Sequence, residues 1–161
     1  MKGHWPLKLL VSLGVGLLPG PHGTYGSVLT AGLGALWLYH GGALAGWPYG
    51  SVVALVGLAA FIFCHLALRR QIFGTETDPG RIVLDEAAGM LVAMFGISSL
   101  GWELLAALAF FRFFDIVKPL GVNTLQRLEG TWGVVADDLL AGLYALLAWR
   151  SLAWLVALAG A

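Results

Sequence analysis

Apolar residues in this chain come in long, unalternating runs broken by glycine, proline and a few charges, the pattern of helices surrounded by lipid. The first run extends from about Val28 to Ala45 and ends at the turn GGALAGWP. Pro48 opens the second, PYGSVVALVGLAAFIFCHLAL, which stops at Arg69 and Arg70. A polar loop, QIFGTETDPGR, follows with the turn signal Asp78-Pro79-Gly80. The third run starts beside Asp85 and Glu86 and reaches a hairpin turn at Ser98-Ser99-Leu100-Gly101. The fourth, WELLAALAFFRFFDIVKPL, ends at Lys118-Pro119. After a loop containing Asn123, Arg127 and Glu129, the fifth begins near Val134 and carries Asp137 and Asp138 in its first turns. Past Arg150, SLAWLVALAGA either extends that helix or lies along the interface.

A shorter apolar stretch, LKLLVSLGVGLL, occupies residues 7–18. At roughly 1.5 Å per residue it covers about 18 Å, well short of a bilayer core of about 30 Å. The sequence PGPHGTYGS follows it where a cleaved leader would show small residues. The pattern therefore predicts an all-α integral membrane bundle: about five membrane-embedded helices and an N-terminal interfacial or re-entrant segment.

Composition sharpens this picture. Hydrophobic residues make up 59% of the chain and charged ones 11%, against about 45–50% and about 25% in soluble domains. The 161 residues suit one membrane-embedded domain spanning the whole chain. A net charge of zero excludes the basic surface that nucleic-acid binding requires. Cys64 is the single cysteine, so neither an internal disulfide nor a multi-thiolate metal site is available.

Charge also fixes sidedness. With the first span directed outward, the loops at 19–27, 69–86 and 115–138 share the starting side. That side carries Lys2, Lys8, Arg69, Arg70, Arg81, Lys118 and Arg127, with Arg112 nearby, whereas Arg150 lies toward the other face. The positive-inside rule makes the starting side cytoplasmic. Trp5, Trp47, Trp102 and Trp132 fall near span ends, as an interfacial aromatic belt does.

The acidic residues follow the same partition, although they contribute little to orientation. Asp85-Glu86, Asp115 and Asp137-Asp138 meet on the starting side, with Glu103 alone opposite. Five carboxylates in a low-dielectric site repel one another or take up protons unless a cation joins them. Hard oxygen ligands with no cysteine nearby suit Mg2+ or Mn2+ rather than Zn2+. Both pairs are followed by glycine at matched spacing, Asp85-x-x-x-Gly89 and Asp138-x-x-x-Gly142, which lets two helices approach closely. The alternative is that each pair only caps a helix N-terminus, where negative charge is worth about 0.3–1 kcal/mol.

In RFFDIVKP, Arg112, Asp115 and Lys118 recur at intervals of three and share one helical face. They form either a salt-bridge ladder or a phosphate clamp beside a metal ligand. The stretch LLPGPHGTYGSV brings glycines with Thr24 and Ser27, a composition that offers backbone N–H groups and hydroxyls to an anion or simply makes a turn into a span. His22 is a candidate proton relay or an incidental loop residue, and His40 and His65 fall away from the acids.

Together, GLLPGPHGTYGS, IVLDEAAGM, RFFDIVKP and GVVADDLLAG, in this order and spacing, resemble the phosphatidylglycerophosphatase A family from about Trp5 to Ala148. The resemblance implies a small bacterial inner-membrane enzyme that removes the phosphate of phosphatidylglycerophosphate and requires Mg2+. It implicates Thr24, Gly26 and Ser27, then Asp85 and Glu86, then Arg112, Asp115 and Lys118, then Asp137 and Asp138. As expectations, Asp85, Glu86, Asp137 and Asp138 hold metal, Asp115 is a further ligand or the base orienting water, and Arg112, Lys118, Thr24 and Ser27 bind phosphate. Two departures stand out: His22 replaces the family's proline, and Gly121 stands where a second proline commonly follows the Lys-Pro step. Two rivals are a CDP-alcohol phosphotransferase, whose Asp-Gly signature is absent, and a membrane transporter, which would hold its acids near the midplane between repeated halves.

Overall fold

The computed structural model describes residues 4–75, 79–119, 121–122 and 130–160. Lys2, Asp78, Asn123, Arg127 and Glu129 lie outside the described residues. Among the described residues six α-helices make up the fold: α1 (Trp5–Ser12), α2 (His22–Tyr39), α3 (Gly46–Arg69), α4 (Leu84–Ala93), α5 (Trp102–Val117) and α6 (Thr131–Ala159). Among the described residues the one extended pairing is an antiparallel bridge between Leu44 and Ile97.

Element boundaries follow local chemistry. Pro6 and Pro48 sit in the first turns of α1 and α3, where a missing N–H costs nothing. Helix α5 stops at Lys118, whose φ of 49° is left-handed, immediately before Pro119. Helix α2 begins at His22, earlier than the predicted span start at Val28, so the glycine-rich segment from Gly23 to Ser27 is helical rather than a loop. The C-terminal alternative is also decided: α6 runs without interruption through Arg150 to Ala159.

Helix length separates the elements. Among the described residues, α3 (24 residues) and α6 (29 residues) are long and apolar enough to cross a membrane; each exceeds about 30 Å. Helices α2 (18 residues), α5 (16) and α4 (10) reach about 27, 24 and 15 Å. Five full crossings are therefore not what the helix lengths display. Only 17% and 22% of the apolar stretches of α3 and α6 are buried, so these are not the core helices of a soluble fold. Leu55, Leu58, Leu147 and Trp154 all face outward from them. Such exposed apolar surface marks a membrane-associated chain.

Two apolar clusters hold the helices together. Met90, Met94, Ala107, Phe111, Ala141 and Trp149 join α4, α5 and α6. Val11, Ala60, Cys64, Ile82, Ala88 and Val135 join α1, α3, α4 and α6. Helices α2, α4 and α6 start at one end of the bundle, and α3 and α5 finish there. That end is fixed by the approach of Gly23 to Glu86, of Lys118 to Asp137, and by a 3.1 Å hydrogen bond between His65 Nδ1 and Thr131 Oγ1. The opposite end is closed by the Leu44–Ile97 bridge and by Trp149 Nε1 donating to the Ala93 carbonyl at 2.7 Å.

Candidate active site

Asp85 and Glu86 occupy the first turn of α4, and Asp137 and Asp138 the second turn of α6. Each leading aspartate accepts a hydrogen bond from the backbone N–H of its neighbour: Asp85 Oδ1 from Glu86 and Asp137 Oδ1 from Asp138, both at 3.0 Å. Neither α4 nor α6 has a side-chain cap hydrogen bond at its N-cap, and Asp137 lies past the first turn, so these contacts engage one oxygen of one member of each pair without capping the helix. The remaining side chains turn inward. Asp85, Glu86 and Asp138 each place a carboxylate oxygen within 4.8 Å of the other two.

Glycines make that approach possible. A Cβ on Gly89 would stand 2.5 Å from the Asp138 carbonyl oxygen, and one on Gly142 would collide with the Gly89 carbonyl. The matched Asp-x-x-x-Gly spacing is the contact between α4 and α6 itself. On the opposite flank, a Cβ on Gly23 would strike Glu86 Oε1 and lie 3.3 Å from Arg112 Nη1. The segment offers either backbone donors or a turn by composition; Gly23 serves instead as a bare patch of helix against which a carboxylate and a guanidinium fit.

The cluster is shielded and under-satisfied. Asp85, Asp137 and Asp138 are all buried. Among the described residues, Glu86 Oε2 and Arg112 Nε are buried without a hydrogen-bond partner, an arrangement that costs free energy unless a ligand completes it. Burial, then the charge and hydrogen bond of Asp85 and the charge of Asp115, push the Glu86 carboxyl well above its usual range, against the pull of Arg112.

Cations flank the acids. Arg112 Nη1 donates to Asp115 Oδ2 at 2.5 Å and to Ser27 Oγ at 3.4 Å, and Ser27 donates to the Gly23 carbonyl at 2.8 Å. Lys118 Nζ donates to Asp137 Oδ2 at 2.5 Å. The predicted stripe of Arg112, Asp115 and Lys118 therefore holds for its first two members only. The left-handed backbone at Lys118 takes it off the helical face and delivers it to α6. Burial alone would lower the Lys118 ammonium; its hydrogen bond to Asp137 and the charges of Asp137, Asp138 and Asp115 outweigh that and raise it.

Of the residues picked out in the sequence, Asp85, Glu86 and Asp138 form the close cluster, Asp115 and Asp137 are engaged by Arg112 and Lys118, and Ser27 reaches Arg112. Thr24 is half-buried one residue from Gly23 and makes none of these contacts. His65 bonds Thr131, away from the acids.

The phosphatidylglycerophosphatase A family pattern matches residues 9–153. A Haemophilus influenzae phosphatidylglycerophosphatase A is 35% identical over 145 residues, covering 88% of this chain and 85% of that protein. An Escherichia coli phosphatidylglycerophosphatase A is 31% identical over 145 residues, covering 88% and 79%. A Bacteroides thetaiotaomicron protein carrying the provisional name phosphatidylinositol-3-phosphatase is 32% identical over 158 residues, covering 94% and 95%. No solved structure matches this chain at a significant level. With the match running from α1 into the far half of α6, and so across all four polar motifs, the chain belongs to the phosphatidylglycerophosphatase A family.

Proposed function

We propose that this chain hydrolyses the phosphomonoester of phosphatidylglycerophosphate to give phosphatidylglycerol, using Mg2+ held by Asp85, Glu86 and Asp138. The observation that carries the reading is the convergence of three carboxylates within 4.8 Å, one with a buried oxygen that has no partner among the described residues. Three carboxylates that close repel unless a cation or protons intervene, and an oxygen-only donor set fits a hard divalent ion. Family membership supports the phosphatase reading over the phosphotransferase and transporter alternatives.

When bound, Mg2+ supplies Lewis-acid neutralisation of charge on the phosphoryl group. The chain's own residues do the rest. Arg112 is gripped on one side by Asp115 and Ser27 and keeps Nε for a phosphate oxygen. Lys118, raised as a cation by Asp137, adds a second positive charge where the transferring group would sit. Asp115 is assigned either as a further cation ligand or as the base that orients and deprotonates water, and Asp137 positions Lys118. Thr24 and Ser27 complete the phosphate side of the site.

In the membrane, α3 and α6 cross fully, α2 and α5 are embedded alongside them, and α4 enters from the polar end without crossing. The polar end carries Lys8, Arg69, Arg70, Arg81 and Lys118, which supports a cytoplasmic orientation in a bacterial inner membrane.

Phosphate release from phosphatidylglycerophosphate by the purified protein tests the reading, with phosphatidylinositol 3-phosphate as the competing substrate. Release that stops in excess chelator and returns with Mg2+ is expected. Full turnover in chelator would remove the cation, and no release from either lipid would remove the activity.

A further inference from the structure

Beside the acidic cluster, an apolar cavity of about 510 Å³ opens between α2, α3 and α4. Its size lies within the roughly 300–1,000 Å³ of small-molecule sites. Leu84, Ala87 and Leu91 line it from α4, at the intervals of three and four that put them on one face. Leu84 and Ala87 bracket Asp85 and Glu86, so the cavity's head lies within a turn of the cluster. Thr30, Leu33 and Trp37 line it from α2, and Pro48, Tyr49 and Val52 from α3. From Thr30 to Trp37, and likewise from Leu84 to Leu91, the helices rise by about 10 Å away from the polar end.

The lining is overwhelmingly apolar. Thr30 Oγ1 donates to the Gly26 carbonyl and Tyr49 Oη to the Leu91 carbonyl, both at 2.8 Å, and Trp37 Nε1 donates to the Ala43 carbonyl at 3.3 Å. Each of these polar groups is committed within the protein, leaving methyl, methylene and aromatic surface toward the space. On the outer side, Leu33 is 60%, Trp37 58% and Val52 46% exposed, so the cavity is open laterally to surrounding lipid.

We propose that this cavity holds one acyl chain of the lipid phosphomonoester whose phosphate occupies the acidic site, making it a substrate-anchoring groove. The inference rests on the phosphatase reading for its headgroup end and on the cavity's own geometry for its apolar end. A chain held there would draw the lipid partly out of its leaflet. It would also tie the phosphate to Arg112 and the carboxylates through the same short helix, α4.

Photolabelling with a diazirine-tailed phosphatidic acid tests occupancy in nanodiscs, whether or not hydrolysis occurs. The groove is supported if labels concentrate on Leu33, Trp37 and Val52 and are displaced by unlabelled phosphatidic acid but not by phosphatidylcholine. Equal displacement by both lipids, or labels spread over the outer faces of α3 and α6, would mean bulk bilayer contact and overturn it. A kinetic arm compares long-chain phosphatidylglycerophosphate with its deacylated headgroup. Filling the groove with Val52→Trp or Leu33→Trp is expected to lower the ratio of the two kcat/KM values by about tenfold or more. An unchanged ratio would overturn the groove even if hydrolysis is robust, whereas failure of the wild type on both substrates, with specific labelling intact, would overturn the phosphatase reading alone.

Discussion

Gly89 and Gly142 meet backbone to backbone where α4 crosses α6, with the Gly89 carbonyl filling the place a side chain on Gly142 would need. One turn before each glycine stands an acid of the cluster, Asp85 on α4 and Asp138 on α6. The separation of the carboxylates is therefore set by a contact that tolerates no Cβ. Gly142→Ala is expected to wedge the helices apart and cost about 1–3 kcal/mol by overpacking. It should weaken Mg2+ binding in the same variant. Thermal unfolding in detergent and calorimetric Mg2+ titration measure both; an unaltered melting temperature with unaltered affinity would refute this account of the crossing.

Removing charge from the cluster should separate stability from activity. Asp85→Asn and Asp138→Asn keep shape and replace one of three crowded carboxyl groups with a neutral amide. In chelator these variants should melt no lower than the wild type, or higher. Hydrolysis should fall by more than about 10²-fold, since even outer-shell changes around metals cost about 10- to 100-fold. Parallel melting curves and phosphate-release assays decide it, and an active Asp85→Asn variant would exclude Asp85 from the cation site.

Much of this architecture was legible because membrane helices announce themselves by apolar run length, and because charges are too costly among lipids to be scattered. The helix order and the gathering of acids at one end followed from those two facts. Of the five carboxylates expected to share a cation, however, only Asp85, Glu86 and Asp138 form the close cluster, while Asp115 and Asp137 pair with Arg112 and Lys118. What the pattern missed was local backbone geometry. The three-residue rhythm of Arg112, Asp115 and Lys118 reads as one stripe, but a left-handed turn before Pro119 sends Lys118 to Asp137 instead. Glycines at 23 and 26 read as a loop, yet they lie within α2, where Gly23 accommodates Glu86 and Gly26 packs against Val83. Helix length was the other gap: α4 ends at Ala93 after ten residues, although apolar sequence continues to Ile97.

Acidity and cation binding should be linked in a definite direction. Glu86 holds its proton above the ordinary value of 4.5 in the folded protein. Between that value and its raised one, the folded state binds more protons than the unfolded state, so stability in chelator falls as pH rises through the window. A divalent cation takes the ionised form and displaces the proton. Melting temperature in chelator is expected to drop as pH rises above the ordinary glutamate range, and saturating Mg2+ should shrink or reverse the drop. Titration calorimetry in two buffers of different ionisation enthalpy should register proton release. Identical apparent enthalpies in both buffers would contradict the assignment.

The two cations should fail differently when replaced. Arg112 fits its place by shape: one nitrogen is shared between Asp115 and Ser27 while Nε is buried without a partner among the described residues. A lysine there keeps the charge and loses the fork, so Arg112→Lys is expected to lower kcat/KM by about 10²-fold with little change in folding. Lys118 is held chiefly by Asp137, which is almost wholly buried. Lys118→Met removes the ammonium that Asp137 Oδ2 accepts from and should cost about 1.5–3 kcal/mol of stability. Adding Asp137→Asn to it should restore much of that stability without restoring turnover. If the double variant is no more stable than Lys118→Met alone, the ion pair is not what orders the end of α5. If Lys118→Met retains full turnover, the second cation has no part in binding phosphate.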